Sequence, residues 1–273
     1  MNKFSKSHRK LLLIEDFSDF YWLVLPVATI IYPIIQYGIT PIQLLDSNQG
    51  LILREYAFNI ILWSTIALVA FRTALYTERD MRREEWLYAG GMKWQNLWAN
   101  YFKCITINII IHLSLCWGLI SATTILLGGV EEFTKQLIWI PNMALIFGAS
   151  ICSMGIGAII QKVTNSGKVA AAAIVICALL GGFIRFASES LTTNIEILDN
   201  CIQTSIYTLV PHMEWIQTLA FIRNYAAPDL PLYLWIVTAL QMSLQGYLLV
   251  ILAWMLPTHK NHPQKRFKVI NMK

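Results

Sequence analysis

LIWIPNMALIFGASICSMGIGAII, residues 137–160, is an apolar run without a charged side chain. About 20 mostly apolar residues are enough for a helix to cross the hydrocarbon core of a bilayer. Five further runs of this kind occupy approximately residues 21–37, 58–76, 105–127, 169–187 and 232–256. A spanning helix satisfies its own peptide groups, whereas barrel strands would be about half as long and would alternate in polarity. The pattern predicts an all-α polytopic membrane protein with six transmembrane helices.

The composition of the whole chain favours the same fold class. Of its 273 residues, 56% are hydrophobic and only 14% are charged, whereas roughly a quarter of the residues in a soluble domain are charged. We expect one membrane domain over residues 21–257, flanked by a short N-terminal segment, 1–20, and a basic tail, 258–273. The five cysteines form no CxxC pattern, so we expect no metal site and no disulfide framework.

The distribution of Lys and Arg predicts the orientation of the chain. If the N-terminus lies in the cytoplasm, 17 of the 21 basic residues fall in inside segments and four fall outside. Basic residues accumulate on the cytoplasmic side of membrane proteins. Both termini are therefore predicted to be cytoplasmic. The net charge of +5 is then explained by topology, and we expect no nucleic-acid partner.

The segment before the first span is predicted to be an amphipathic helix at the membrane interface. Acidic residues at 15, 16 and 19 separate a short LLLI run from the span, and no small-residue cleavage pattern follows. We therefore expect the first span to be retained rather than cleaved. Apolar side chains recur on one face of the segment at helical intervals, at Phe4, Leu11, Ile14 and Phe17.

Residues 77–85 hold the densest charge in the chain, seven charged residues out of nine, between the second and third apolar runs. Glu78 and Arg82 are four residues apart with the acid first, and such pairs stabilise a short solvent-exposed helix. Beyond Gly90-Gly91, an apolar stripe with helical spacing is suited to the membrane interface, at Trp94, Leu97, Trp98 and Tyr101. Residues 77–103 are thus predicted to form two helices with a hinge. They are either a solvated loop that only fixes topology or a docking surface for a partner.

The whole chain resembles the permease subunits of type-2 family ATP-binding cassette (ABC) exporters. The resemblance rests on six spans after an amphipathic segment, on ERDMRREEWLYAGGMKWQNLWANYFK (78–103), on GASICSMGIGAII (148–160) and on SIYTLVPHMEWIQTLAFIRNYAAP (205–228). The first motif is similar to the coupling helix of the family, and the last is similar to its re-entrant segment before the final span. The family often has a proline near the middle of the coupling loop, where this chain has Gly90-Gly91.

The resemblance implies the permease subunit of an ATP-driven exporter in a bacterial inner membrane. The chain has no GxxxxGK[ST] loop, so ATP and Mg would be bound by a separate ABC-type ATPase subunit. We expect no cofactor on this chain and no enzymatic activity of its own. A second permease copy, identical or related, would complete the transporter in the lipid bilayer.

The same resemblance assigns the expected site residues. Within the coupling loop 77–103, Glu78 closes the second span, Leu87 is the apolar docking position and Lys103 opens the third span. The exit path would be capped by a re-entrant segment within the extracytoplasmic loop 189–231, involving Pro211, His212 and Trp215; the alternative is an interfacial helix held by Trp215. Coupling to the ATPase would use Glu78, Arg82, Arg83, Glu84, Glu85, Trp86, Leu87, Tyr88, Gly90 and Gly91.

Five polar residues in the spans are candidates for the translocation path, Asn59, Asn108, His112, Gln241 and Gln245. Asn108 and His112 are four residues apart, as are the two glutamines, so each pair shares a helix face. Polar residues inside a span face protein or a cavity, and they serve either interhelical hydrogen bonding or substrate contact. His112 alone makes a weak haem ligand, because no second ligand accompanies it.

Two alternatives belong to other functional classes. A membrane-embedded enzyme acting on lipid or peptide would need a converging catalytic set. The spans are nearly free of carboxylates, and the adjacent Glu84 and Glu85 would point about 100° apart on a helix. A non-transporting membrane assembly factor would be equally poor in acids. Dependence of nucleotide hydrolysis on this chain distinguishes that factor from a permease.

Overall fold

The structure is a computed structural model that describes residues 3–18, 61–74, 93–128, 139–190 and 232–256. These residues form six helices: α1 (Lys3–Ser18), α2 (Ile61–Ala74), α3 (Trp94–Gly128), α4 (Trp139–Thr164), α5 (Gly167–Ser190) and α6 (Leu232–Met255). The predicted all-α class is confirmed for this part of the chain. The predicted first span, 21–37, lies outside the described residues.

Three of these helices are long and apolar enough to cross a membrane, over Asn96–Leu119, Asn142–Thr164 and Ile236–Met255. Two shorter apolar helical stretches, Ile61–Ala74 and Gly167–Ala178, coincide with the second and fifth predicted spans. The length and composition of these helices indicate a membrane protein. The total of six spans remains a prediction.

α3 is longer than the span predicted at 105–127. It runs for 35 residues from Trp94 to Gly128, or about 50 Å at 1.5 Å per residue. No glycine or proline occurs between Trp94 and Trp117, so no helix-breaking residue interrupts its first six turns. The second half of the predicted coupling loop is therefore the beginning of the third apolar helix and not a separate interfacial helix.

The apolar stripe at the start of α3 faces protein. Leu97, Trp98 and Tyr101 are all buried, although their spacing suggested that they lie at the lipid interface. α1 packs across this part of α3, and its own Leu12 is fully buried there. The stripe is covered by the N-terminal helix, which explains why its aromatic residues do not lie on the outer surface.

α4 and α6 form the closest helix pair among the described elements, because small residues line their contact. A Cβ added to Gly148 would lie 2.7 Å from the carbonyl oxygen of Ala239, and one added to Gly155 would lie 2.5 Å from that of Gly246. A Cβ added to Gly246 would overlap the backbone of Ile151. Small residues allow helix backbones to approach in membranes, where no hydrophobic force drives helices together.

α4 and α5 form a tight helical hairpin. Asn165 ends α4 in the left-handed region, with φ of 54°, and its amide donates to the carbonyl of Gln161 at 2.8 Å. Asn tolerates this conformation better than most residues. The Ser166 hydroxyl then accepts a hydrogen bond from the Val169 amide at 3.4 Å, as expected of a helix N-cap. Gly157 packs directly against Ile174, which brings the two helices together.

Candidate functional site

A small polar cluster connects α2 to α3 inside the apolar core. It consists of Ser64, His112 and Cys116, and we refer to it as the α2–α3 polar cluster. His112 Nε2 lies 3.2 Å from Ser64 Oγ and 3.8 Å from Cys116 Sγ. Ser64 is buried, and the other two side chains are completely buried. The sequence singled out His112 but not its two neighbours.

The Ser64 hydroxyl lies near two possible acceptors. Its Oγ is 2.9 Å from the carbonyl oxygen of Ile61 and 3.2 Å from Nε2 of His112. A hydroxyl has one proton, so Ser64 either donates to Ile61 and accepts from a His112 that is protonated on Nε2, or donates to Nε2 itself. Nδ1 of His112 has no hydrogen-bond partner within the described part of the chain.

Asn108 lies one turn before His112, and both side chains are fully buried. The prediction that they share a face is confirmed, since both point into the protein. The two glutamines on α6 differ in exposure: Gln241 is exposed and Gln245 is half-buried. The described hydrogen bonds of His112 go to Ser64 and Cys116 and not to either glutamine. The structure therefore groups only two of the five path candidates, and Asn59 lies outside the described residues.

The α2–α3 polar cluster brings together a hydroxyl, an imidazole and a thiol, all of which can form hydrogen bonds. Within the described ranges no group of three or more His, Cys, Asp or Glu side chains could hold a metal ion. The cluster can hydrogen-bond a polar molecule or stabilise the α2–α3 contact.

A second group of side chains holds the beginning of α3 in place. It comprises His8, Trp98, Asn100, Tyr101 and Lys162, and we call it the α3 base cluster. Asn100 Nδ2 donates to His8 Nδ1 at 3.3 Å, and the His8 and Tyr101 rings meet edge to face with centroids 6.0 Å apart. The Lys162 ammonium lies 5.1 Å from the centre of the Trp98 ring, within the range of a cation–π interaction.

The α3 base cluster joins three helices at the point where α3 begins. His8 belongs to α1, Lys162 to the last turn of α4, and the other three to the first two turns of α3. The Cys104 thiol also points to the carbonyl oxygen of Arg9 at 4.0 Å, which is a weak contact. The start of α3 is thus fixed on two sides.

Sequence reasoning missed several of these roles. Lys162 counted only as a basic residue that sets topology, yet it is buried against Trp98. Arg72, counted in the same way, is fully buried at the end of α2, with its guanidinium 5.9 Å from the Phe71 ring. The burial of His8 could have been predicted from its spacing of four residues from Leu12, which places both side chains on one helix face.

The predicted coupling and exit residues cannot be placed with these clusters, because they lie outside the described residues. The coupling set is Glu78, Arg82, Arg83, Glu84, Glu85, Trp86, Leu87, Tyr88, Gly90 and Gly91, and the exit set is Pro211, His212 and Trp215. Of the positions assigned by resemblance, Lys103 is described, and it is exposed on α3.

Comparison of the chain with protein-family models, curated proteins and solved structures found no match in any of the three.

Proposed function

We propose that this chain is the membrane permease subunit of an ATP-driven exporter, coupled to a separate ATPase subunit through residues 77–103. A second copy of the permease, identical or related, completes the translocation path. The proposal places the pair in a bacterial inner membrane with both termini in the cytoplasm. Its basis is the resemblance of the chain to type-2 ABC exporter permeases together with the way in which α3 begins.

The observation that carries the proposal is the bracing of α3 at its first two turns. α3 starts inside the predicted coupling loop and continues without a helix-breaking residue into the longest apolar helix described. Its base is held by His8 from α1 and by Lys162 from α4. A displacement of the loop by a partner would therefore move α3 together with α1 and α4. A coupling element needs this mechanical continuity, whereas a loop that only fixes topology does not.

The charged part of the loop supplies the chemistry for docking. Residues 77–85 carry seven charges of both signs, and Trp86, Leu87 and Tyr88 follow them directly. Large apolar and aromatic side chains surrounded by charges are typical of protein interface centres with polar rims. In our proposal these three side chains insert into a cleft of the ATPase while Arg82 and Arg83 contact acidic residues around it.

The α2–α3 polar cluster and Asn108 are the proposed polar part of the translocation path. A buried imidazole with one unpartnered nitrogen among the described residues is costly in an apolar core. Function is a common reason for keeping ionisable and polar groups inside a membrane protein. Asn108 and His112 would then offer hydrogen bonds to a polar group of the transported molecule.

Co-purification tests the proposal. The tagged chain should be extracted gently from its native membrane together with an ATP-hydrolysing subunit at about one-to-one stoichiometry. The double substitution Trp86→Ala/Leu87→Ala should remove that subunit and its hydrolysis. The control Leu252→Ala/Trp254→Ala removes the same side-chain types from an exposed part of α6 and should retain the subunit.

Both variants must reach the membrane in wild-type amounts for the comparison to count, and a folding defect would show as loss of the protein itself. If the wild-type chain comes out without any nucleotide-hydrolysing protein, the exporter proposal fails. If the ATPase stays bound to the Trp86→Ala/Leu87→Ala variant, the exporter proposal survives but the assignment of the docking residues is overturned.

A further inference from the structure

The N-terminal helix α1 carries a basic face that the described protein does not neutralise. Lys6 and Lys10 are exposed and one helical turn apart, and Arg9 is half-buried beside them. No described residue forms an ion pair with any of these three side chains. The first acidic residue of the chain is Glu15, so residues 1–14 contribute only positive side-chain charge.

Two other faces of α1 show how the helix is oriented. His8 and Leu12, also one turn apart, are buried against α3. Leu11 is 44% exposed and lies about 100° around the helix from Lys10. The helix therefore has a protein-facing side, an exposed apolar side and a basic side. A basic side next to an apolar side is the arrangement of helices that lie in the plane of a membrane interface.

The position of α1 along α3 gives the depth of the basic face. His8 contacts Asn100, and the Arg9 carbonyl faces Cys104. Asn100 and Cys104 are the fifth and ninth of the 24 residues in the apolar stretch Asn96–Leu119. α1 therefore packs against the N-terminal part of a helix that is long and apolar enough to cross a membrane, and interfacial helices lie at such ends, at the boundary between headgroups and acyl chains.

We propose that Lys6, Arg9 and Lys10 form a binding surface for the headgroups of anionic phospholipids, with Leu11 inserted at the acyl boundary. Charge complementarity supports this occupant, since three cations without an ion-pair partner among the described residues would face the negatively charged headgroups of such a leaflet. The exposed Leu11 distinguishes lipid from a soluble acidic protein or a free phosphate ion, neither of which provides an apolar phase beside the charge. The inference goes beyond the exporter function and does not depend on it, because it concerns only α1 and its contact with α3.

A thermal-unfolding titration of the full-length chain tests this surface. The delipidated protein in a neutral detergent is titrated at low salt with dioleoylphosphatidylglycerol, and in parallel with dioleoylphosphatidylcholine. A ligand that binds only the folded state raises the unfolding temperature with its concentration. We expect the anionic lipid to stabilise the wild-type chain at concentrations at which the zwitterionic lipid does not, and high salt to weaken the effect.

Charge-removal variants locate the binding. Lys6→Gln/Lys10→Gln should require roughly 30-fold more anionic lipid for the same stabilisation, given the contribution expected for each basic side chain near a charged surface. Lys93→Gln/Lys168→Gln removes two exposed lysines outside α1 and should behave like the wild type. Lys6→Arg/Lys10→Arg keeps the charge and should also bind normally, which separates loss of charge from damage to the helix.

Three outcomes would overturn the inference. The first is equal stabilisation of the wild-type chain by the two lipids. The second is an unchanged response to anionic lipid in Lys6→Gln/Lys10→Gln. The third is full stabilisation by glycerol phosphate or by polyglutamate at matched charge, which would identify a free phosphate or an acidic protein as the occupant.

Discussion

Ser64 and His112 connect α2 to α3 through one hydrogen bond in an apolar core. Hydrogen bonds between membrane helices average only about 0.6 kcal/mol, because the unfolded chain in the membrane also finds partners. A buried donor without an acceptor costs about 1–3 kcal/mol. Loss of the 3.2 Å contact between His112 Nε2 and Ser64 Oγ would therefore destabilise the protein mainly because it leaves a buried nitrogen without a hydrogen-bond partner.

Replacing Ser64 by Ala tests what its contact with His112 contributes to stability. Ser64→Ala removes the hydrogen-bond partner of His112 Nε2 and should lower the free energy of unfolding by about 1 kcal/mol. The matched control is Ser150→Ala, because Ser150 is also buried but its hydroxyl donates to the carbonyl of Ile146 in its own helix. Thermal unfolding in detergent measures both. Equal losses of stability in the two variants would show that Ser64 makes no special contribution to His112.

The sequence could predict polar residues but not their partners. Asn108 and His112 were predicted to share a face, and both are buried. The same spacing argument applied to Gln241 and Gln245, yet Gln241 is exposed. Spacing along one helix fixes the angle between two side chains, but it carries no information about which neighbouring helix covers that angle. For the same reason, Ser64 could not be linked to His112 across 48 positions of sequence.

Among the helices, α4 and α6 show how glycine permits close packing. Gly148, Gly155 and Gly246 lie where an added Cβ would meet backbone atoms of the opposite helix. Backbone cannot move aside as a flexible side chain can, so the whole helix must shift. In a membrane the hydrophobic effect does not compensate for the lost contact between the two helices, because lipid is as apolar as the helix surface.

Two glycine substitutions separate packing from helix propensity. Gly246→Ala should destabilise the protein by about 1–3 kcal/mol, the usual cost of overpacking. Gly118→Ala is the control, because an added Cβ at Gly118 meets nothing within 4 Å. It should be neutral or stabilising by up to about 1 kcal/mol, since Ala favours a helix more than Gly does. The measurement is again the unfolding temperature of each purified variant. A Gly246→Ala protein as stable as Gly118→Ala would contradict the backbone contact.

Element boundaries were predicted where apolar runs were long and uninterrupted. The sixth predicted span, 232–256, agrees with α6 to within one residue. Residues from Trp94 were predicted to be helical but separate from the third span at 105–127, because Trp94 to Lys103 contain enough polar residues to look interfacial; they form one continuous helix with it. Helical periodicity identified the correct face at Leu97 and Trp98, but not its burial by α1 and Lys162. A hydrophobic stripe indicates that a helix face is buried, but which helix or side chain buries it depends on tertiary contacts.

At the scale of the whole molecule, the described helices are those of a membrane protein in which α3 connects two regions. It packs on the N-terminal helix at its base and contributes to the α2–α3 polar cluster further along. Its base contacts α1 and the end of α4, and its middle contacts α2 through His112 and Ser64. A single helix of 35 residues thus connects the proposed docking segment to the proposed path. In our account, displacement of residues 77–93 by an ATPase is transmitted along α3 to the surroundings of His112.

The most direct test of this account is to identify what residue 86 touches in the native membrane. Trp86 is replaced by the photoreactive p-benzoylphenylalanine, cells are irradiated, and the cross-linked partner is identified by mass spectrometry. The account predicts a protein that carries a GxxxxGK[ST] phosphate-binding loop, and no such cross-link when the same photoreactive group is placed at Trp254. Cross-links from position 86 only to lipid, or to a protein without a nucleotide-binding loop, would contradict the docking of this segment on an ATPase and with it the proposed transmission along α3.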